Sequence, residues 1–231
     1  MADDNAFTGF PPEALGFLRA VDFYQDRTWF NENKPLYESA LKAPFAAFLT
    51  EATKAFAKRG VPLIGDPAKG IFRLQRDVRF AKDKRPYKTN AGAILSPDGR
   101  KGTPGLAYLH IDPQGCFMAA GFWHPEPRQL LAMRRHILAE PKGWLAVEKA
   151  LDAKGLALDP EYALKRLPRG FEEHAGSPVA EALRFTSFVT HRPFEDARLG
   201  EPELVDDFAS FAEANLPLFR FFWTALEKAT A

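Results

Sequence analysis

A chain of 231 residues, 46% hydrophobic and 26% charged, supports an ordinary buried core and excludes a largely disordered polypeptide. Its formal net charge of +1 gives no basis for non-specific nucleic-acid binding by the molecule as a whole. The single cysteine, Cys116, excludes an intramolecular disulfide and fits a reducing compartment. No apolar run approaches the ~20 residues of a membrane span. The opening MADDNAFTGF lacks the basic-then-apolar pattern of a secretory signal, so a soluble, cytoplasmic protein with no membrane partner is expected.

Taken in chain order, Pro11-Pro12-Glu13 followed by Leu15, Leu18 and Val21 predicts a short helix with prolines at its entrance. Asp26 is the expected cap of a second helix whose apolar side is Trp29, Phe30, Leu36 and Tyr37, and Pro35 should bend or divide it. A third helix is expected from Pro44 through Phe45, Phe48, Leu49, Ala52 and Phe56, ending at Lys58-Arg59-Gly60.

The pattern then changes to strands. Ile71 to Phe80 alternates, with Phe72, Leu74, Val78 and Phe80 on one side and Arg73, Gln75, Asp77 and Arg79 on the other. Arg76 falls on the apolar side, which calls for a bulge or a buried partner. Ala91 to Leu95 is a second short strand. Residues 105–124 predict a hairpin across Asp112-Pro113-Gln114-Gly115, a type I turn sequence. If Asp112 faces Gly115, His110 faces Phe117, Tyr108 faces Ala119 and Leu106 faces Gly121. Leu106, Tyr108, His110, Phe117 and Trp123 then share one face; Leu109, Ile111, Cys116, Met118 and Phe122 share the other. Both faces are largely apolar, which predicts a sheet covered on both sides.

Helices return at Arg128–Ala139 and Pro141–Ala150, followed by a loop-rich stretch over 155–177 and a strand-like run at Leu183–Thr190. A long C-terminal helix carries Leu204, Phe208, Phe211, Leu218, Phe222 and Leu226, with a break expected at Asn215-Leu216-Pro217. The 21 phenylalanines are mostly assigned to core packing. With no repeat and no linker, the fold class expected is α+β, one domain over residues 1–231: a central antiparallel sheet with helices packed on it, a helical N-terminal region and a long C-terminal helix.

Charge is segregated within this pattern. From Lys69 to Lys101 there are ten Lys/Arg and three Asp/Glu, a local net of +7, so the remainder sums to −6. Arg suits anions because its planar fork donates two parallel hydrogen bonds to a phosphate or carboxylate. Arg73 and Arg79 share a predicted polar face with Asp77, and the loop after them brings Lys82, Lys84, Arg85 and Lys88 close, with Tyr87 able to stack or donate. The alternative is a solvated loop with an internal network, such as Arg76 with Asp77 or Lys82 with Asp83.

Other chemistries find less support. His110, His124, His136, His174 and His191 show no metal-ligand spacing, and one cysteine cannot form a thiolate cluster, so no metal is expected. His110, on a central strand, is able to titrate near neutral pH or to serve as a hydrogen-bonded core residue. No GxSxG elbow, Walker pattern or GxGxxG is present, and no cofactor is expected. Nothing in the pattern speaks to oligomeric state.

The order Arg27-x-Trp29-Phe30-x-x-x-Lys34-x-x-Tyr37, then Pro44-Phe45, FRLQRDVRFAKDKRPYKTN and the Tyr108–Pro125 hairpin resembles the bacterial family called domain of unknown function 2461. Leu167-Pro168-Arg169-Gly170-Phe171 and Leu183-Arg184-Phe185 extend the resemblance over nearly the whole chain. One departure is Tyr24-Gln25, where the family usually carries Asn-Asn. The resemblance implies a single α+β domain with a central antiparallel sheet and supplies no activity. It also implies that Arg73, Arg76, Asp77, Arg79, Phe80, Lys84, Pro86, Tyr87, Lys88 and Asn90 are signature positions.

The leading expectation is a site for a small phosphorylated or carboxylated ligand, formed by Arg73, Arg76, Arg79, Lys84, Tyr87 and Lys88, with Asp77 orienting an arginine. If there is chemistry, His110 or Asp77 is the proton-transfer candidate. The rival expectations are a nucleic-acid-binding module on the same patch, and a structural or interaction domain with no ligand.

Overall fold

The computed structural model describes residues 6–230; the acidic start of MADDNAFTGF lies partly outside them. Helix α1 (Glu13–Tyr24) ends at Gln25, which adopts a left-handed φ of 43°. Asp26 caps α2 (Arg27–Glu32) as expected, accepting the Trp29 N–H at 2.8 Å. Pro35 divides this helix from α3 (Lys34–Tyr37). The chain then stays helical through a wide π turn at Glu38–Lys42 into α4 (Ala43–Lys58). That turn precedes Pro44, which has no N–H to give, and the Ala43 N–H reaches back five residues to Glu38.

Four strands form an antiparallel sheet in the order β1 (Ala91–Leu95), β2 (Leu106–Ile111), β3 (Cys116–Phe122) and β4 (Phe188–Phe194). The β2–β3 register pairs His110 with Phe117, Tyr108 with Ala119 and Leu106 with Gly121, as the turn sequence requires. The Gly115 N–H closes that turn on the Asp112 carbonyl at 3.0 Å. The last strand begins at Phe188, not Leu183, because residues 182–184 form a 3-10 turn and only the later residues pair with β3. Its Pro193 is tolerated because β4 is an edge strand.

The apolar residues Ile94, Ala119 and Val189 of one sheet face are buried, and helices pack on the opposite face. Ala107, Leu109, Ile111, Cys116, Met118 and Phe122 are buried there. Phe122 meets Phe219 and Phe222 of α8 (Leu216–Thr230) edge-on at 6.1 and 5.4 Å. Helix α7 (Leu204–Ala214) packs on α4 through Phe208, which meets Phe48 and Phe56. Asn215, at the expected break, is buried and accepts the Thr190 hydroxyl at 2.7 Å, which ties the α7–α8 corner to β4.

Helices α5 (Pro127–Ala139) and α6 (Pro141–Asp152) flank this layer. Arg134 of α5 is buried and donates to the carbonyls of Leu183 and Phe185, both at 2.9 Å, with the Phe171 ring beside it. A buried guanidinium satisfied by carbonyls fixes two distant motifs, Leu167–Phe171 and Leu183–Phe185, against one helix.

The predicted strand over Ile71–Phe80 does not form. Its backbone makes single bridges instead: Phe72 N–H to Gly92, Lys88 N–H to Leu74 and Arg76 N–H to Pro86. Farther along, side chains take the place of a ladder, since Asp77 accepts from the Arg79 N–H and Asp83 from the Arg85 N–H. The alternation therefore fails beyond Arg76, and Phe80 is left 95% exposed.

Candidate functional site

The sheet face opposite the helices is the floor of a cavity of about 710 Å³. Gly92 and Ile94 of β1, Tyr108 and His110 of β2, Phe117 and Ala119 of β3, and Val189 and His191 of β4 face into it. Phe72 and Lys88 wall the β1 edge, and Asp159, Glu161 and Tyr162 wall the β4 edge. The period-two alternation of the strands thus sends one set of side chains to the core and the other to this space.

At the β1 edge, three cations crowd together. The Lys88 and Lys101 amines lie 5.4 and 4.7 Å from the centre of the Phe72 ring. Lys101 is an exposed residue, yet it turns its amine back to donate to the Ile71 carbonyl at 2.7 Å. Burial lowers the Lys88 pKa below the ordinary lysine value and Arg73 lowers it further; burial, Lys88 and Arg73 lower that of Lys101. Among the described residues, every charge shifting these two amines is positive.

The floor carries a polar array. Tyr108 Oη lies 2.9 Å from His110 Nδ1, and Asn90 Nδ2 lies 3.4 Å from the same nitrogen. His110 Nε2 faces Asp112 Oδ2 at 3.7 Å, while Asp112 Oδ1 is held by the Gln114 N–H. The carboxylate favours a proton on Nε2, which leaves Nδ1 as the acceptor for the Tyr108 hydroxyl. Burial lowers the His110 pKa, with Asp112 opposing it, and burial pushes the Tyr108 phenol up to about 12. His110 also stacks on Phe117 at 4.3 Å. The absence of a side chain at Gly92 is required here, because a Cβ would collide with the Tyr108 phenol.

The expected site residues divide between two places. Lys88 lines the cavity, and Arg73 lies in electrostatic reach of it. Arg76, half-buried, pairs with Asp83 at 2.8 Å and donates to the Arg85 carbonyl; it does not pair with Asp77. Asp77 instead takes both guanidinium donors of Arg79, at 2.9 and 2.7 Å, on an exposed loop. Lys84 donates to the carbonyls of Val78 and Arg79. Tyr87 is buried and stacked on Phe30 at 4.4 Å, with its backbone N–H held by Gln25 Oε1. Gln25 therefore gives the Tyr24-Gln25 departure a polar role. Of the two proton-transfer candidates, His110 faces the cavity and Asp77 does not.

The sequence did not single out Phe72, Tyr108, Lys101, Asp159, Glu161 or His191 as partners in one cavity. A glycine inside the β1 sequence, Gly92, was the one local sign of a close approach.

The family model described as "Conserved hypothetical protein (DUF2461)" matches residues 13–221. The chain belongs to this family. Membership of DUF2461 carries no stated activity. No curated protein and no solved structure matches the chain. Among the described residues, no helix is long and apolar enough to cross a membrane, and no group of three or more His, Cys, Asp or Glu side chains is placed to hold a metal ion.

Proposed function

We propose that this DUF2461 protein binds a small molecule with a phosphate or carboxylate group and an apolar body, in the cavity on the sheet face opposite the helices. The observation that carries the reading is the Lys88 amine in the cavity lining, with the Lys101 amine beside it over the Phe72 ring, Arg73 in electrostatic reach, and only positive charges shifting the two lysines. Like charges held together in a partly dry setting are costly, and an anion between them removes the cost. The Phe117 and Tyr108 rings beneath suit an apolar body. The volume is within the range of small-molecule sites.

The floor also supports proton transfer on such a ligand. In that step a ligand X–H gives its proton to Tyr108 Oη as the tyrosine proton passes to His110 Nδ1. The imidazolium so formed faces Asp112, and the ligand keeps the electron pair of the broken X–H bond. Tyr108 is the group that touches the ligand; His110 takes up the proton through it.

The test is isothermal titration with phenyl phosphate, which combines an anion with an aromatic body. Wild type is expected to bind, and Lys88→Met/Lys101→Met to lose at least about tenfold in affinity, since charge-assisted hydrogen bonds each contribute about 1.5–3 kcal/mol. Equal binding by both proteins sinks the reading.

A second reading has one observation in its favour. Phe80 and Phe23 are 95% and 82% exposed, and Phe80 sits on the cationic loop with Arg79 beside its ring at 5.9 Å. Aromatics among cations suit single-stranded nucleic acid. Binding of an oligonucleotide that weakens steeply with salt and is lost in Phe80→Ala would favour it.

A further inference from the structure

Resting on the reading of the cavity as an anion site, we infer that its ligand is dipolar: an anionic group at the Lys88 edge and a cationic nitrogen, a primary or alkylated amine, at the Asp159–Glu161 edge. The sheet order separates the two ends. Lys88 leads into β1, one edge strand, whereas the Asp159 N–H donates to Val189 of β4, the other edge strand, at 2.9 Å. Three strand spacings separate β1 from β4, about 14 Å of sheet at roughly 4.8 Å each. The lysine side chain reaches inward and shortens that span.

The acidic end lacks a permanent cation. The Asp159 side chain is only 14% exposed, and its ion-pair partner is His191 Nδ1 at 3.5 Å, which carries charge only when protonated. Its Oδ1 accepts the Glu161 N–H, which leaves Oδ2 toward His191. Neither Asp159 nor Glu161 is in ion-pair reach of a Lys or Arg among the described residues. A carboxylate half withdrawn from water is stabilised by an incoming ammonium.

Aromatic faces at this end point the same way. Tyr162 lines the cavity beside Glu161, and Trp123 lines it from the end of β3, with His124 between them at 6.0 and 4.4 Å. Such faces attract ammonium groups and repel carboxylates. A ligand with anions at both ends would meet Asp159, and one with cations at both ends would meet Lys88. The cavity therefore discriminates by repulsion as well as attraction. Between the ends the floor is formed by the Phe117 ring and Ala119, with the Tyr108–His110 pair beside them, so the linking segment is mainly apolar with room for one polar group at Tyr108.

A titration series separates this inference from the one beneath it. The probes are linear ω-amino carboxylates from aminohexanoate to aminodecanoate, each set against the fatty acid and the alkylamine of the same chain length. An added ammonium ordinarily weakens binding to an apolar site through its hydration. Here one chain length is expected to bind about tenfold or more tighter than its fatty acid. That gain is expected to vanish in Asp159→Asn/Glu161→Gln, where Asn still caps the 3-10 turn.

If fatty acids bind, and lose affinity in Lys88→Met/Lys101→Met, but the ammonium adds nothing at any length, the dipolar inference is overturned and the anion site stands. A gain that survives in a folded Asp159→Asn/Glu161→Gln protein also overturns it. If neither fatty acids nor amino carboxylates bind wild type at any length, the dipolar inference falls, and the phenyl phosphate titration decides whether the anion site falls with it. The wild-type series decides even if the double variant does not fold.

Discussion

Two cationic regions lie next to each other in this molecule and differ in one respect. The loop over residues 76–85 holds the greater density of charge, yet Arg76, Arg79 and Arg85 are each committed to Asp83, Asp77 or Asp22 within ion-pair distance. Asp83 is held well below the ordinary carboxylate range by the Arg85 N–H first and then by the Arg76 and Arg85 side chains. The β1 edge of the cavity holds fewer cations, Lys88 in the lining with Lys101 and Arg73 next to it, and the charges that shift the two lysines are positive. An ion-paired charge stabilises or orders its own loop; one with no carboxylate in ion-pair reach is a place for an anionic ligand. Missing partners locate the candidate site better than charge density does.

The sharpest way to break this comparison is to neutralise each region in turn. Lys88→Met/Lys101→Met is expected to cost at least about tenfold in phenyl phosphate affinity. Arg79→Met/Lys84→Met should stay within about twofold, the scale of a screened surface charge. The reverse ranking by isothermal titration would transfer the site to the loop.

A middle-sized effect is expected from the floor. Gly92→Ala places a methyl group against the Tyr108 phenol, and overpacking of this kind costs about 1–3 kcal/mol. The displaced ring also breaks the Tyr108–His110 hydrogen bond. Urea unfolding should show the lost stability, and the imidazole resonances of His110 should move. A fully stable Gly92→Ala protein with unchanged His110 signals would show that the cavity floor is looser than described.

The smallest effect concerns the rim without ligand. Lys88 and Lys101 have folded-state pKa values below their unfolded value, so the unfolded chain holds those protons more tightly. Their charged forms therefore oppose folding at neutral pH, and the penalty fades as pH rises through the folded values toward the ordinary lysine value. Lys88→Met/Lys101→Met should melt slightly above wild type at pH 7, with the gap closing on the alkaline side. A gap that widens with pH contradicts the sign.

Much of the fold was legible because local signals agreed with tertiary packing. Asp26 is both a good cap and a used one, the Asp112–Gly115 turn fixes the hairpin register, and Asn215-Leu216-Pro217 breaks the helix where Thr190 waits for the amide. The segment over 71–80 misled because apolar alternation competes there with Asp side chains that bond their own backbone, and the latter prevail. The cavity was not legible for a different reason. Its walls come from Phe72, Lys88, Asp159 and His191, which only the order of strands brings together. Arg134 escaped notice because nothing local marks a guanidinium that will be buried against carbonyls.

The central claim is most directly tested by NMR of the lysine side chains, titrating pH with and without phenyl phosphate. The account predicts that the Lys88 and Lys101 amines titrate below the ordinary lysine value in the free protein and move upward when the anion is added. It is contradicted if phenyl phosphate leaves both amines unmoved while the loop resonances of Lys82 and Lys84 respond.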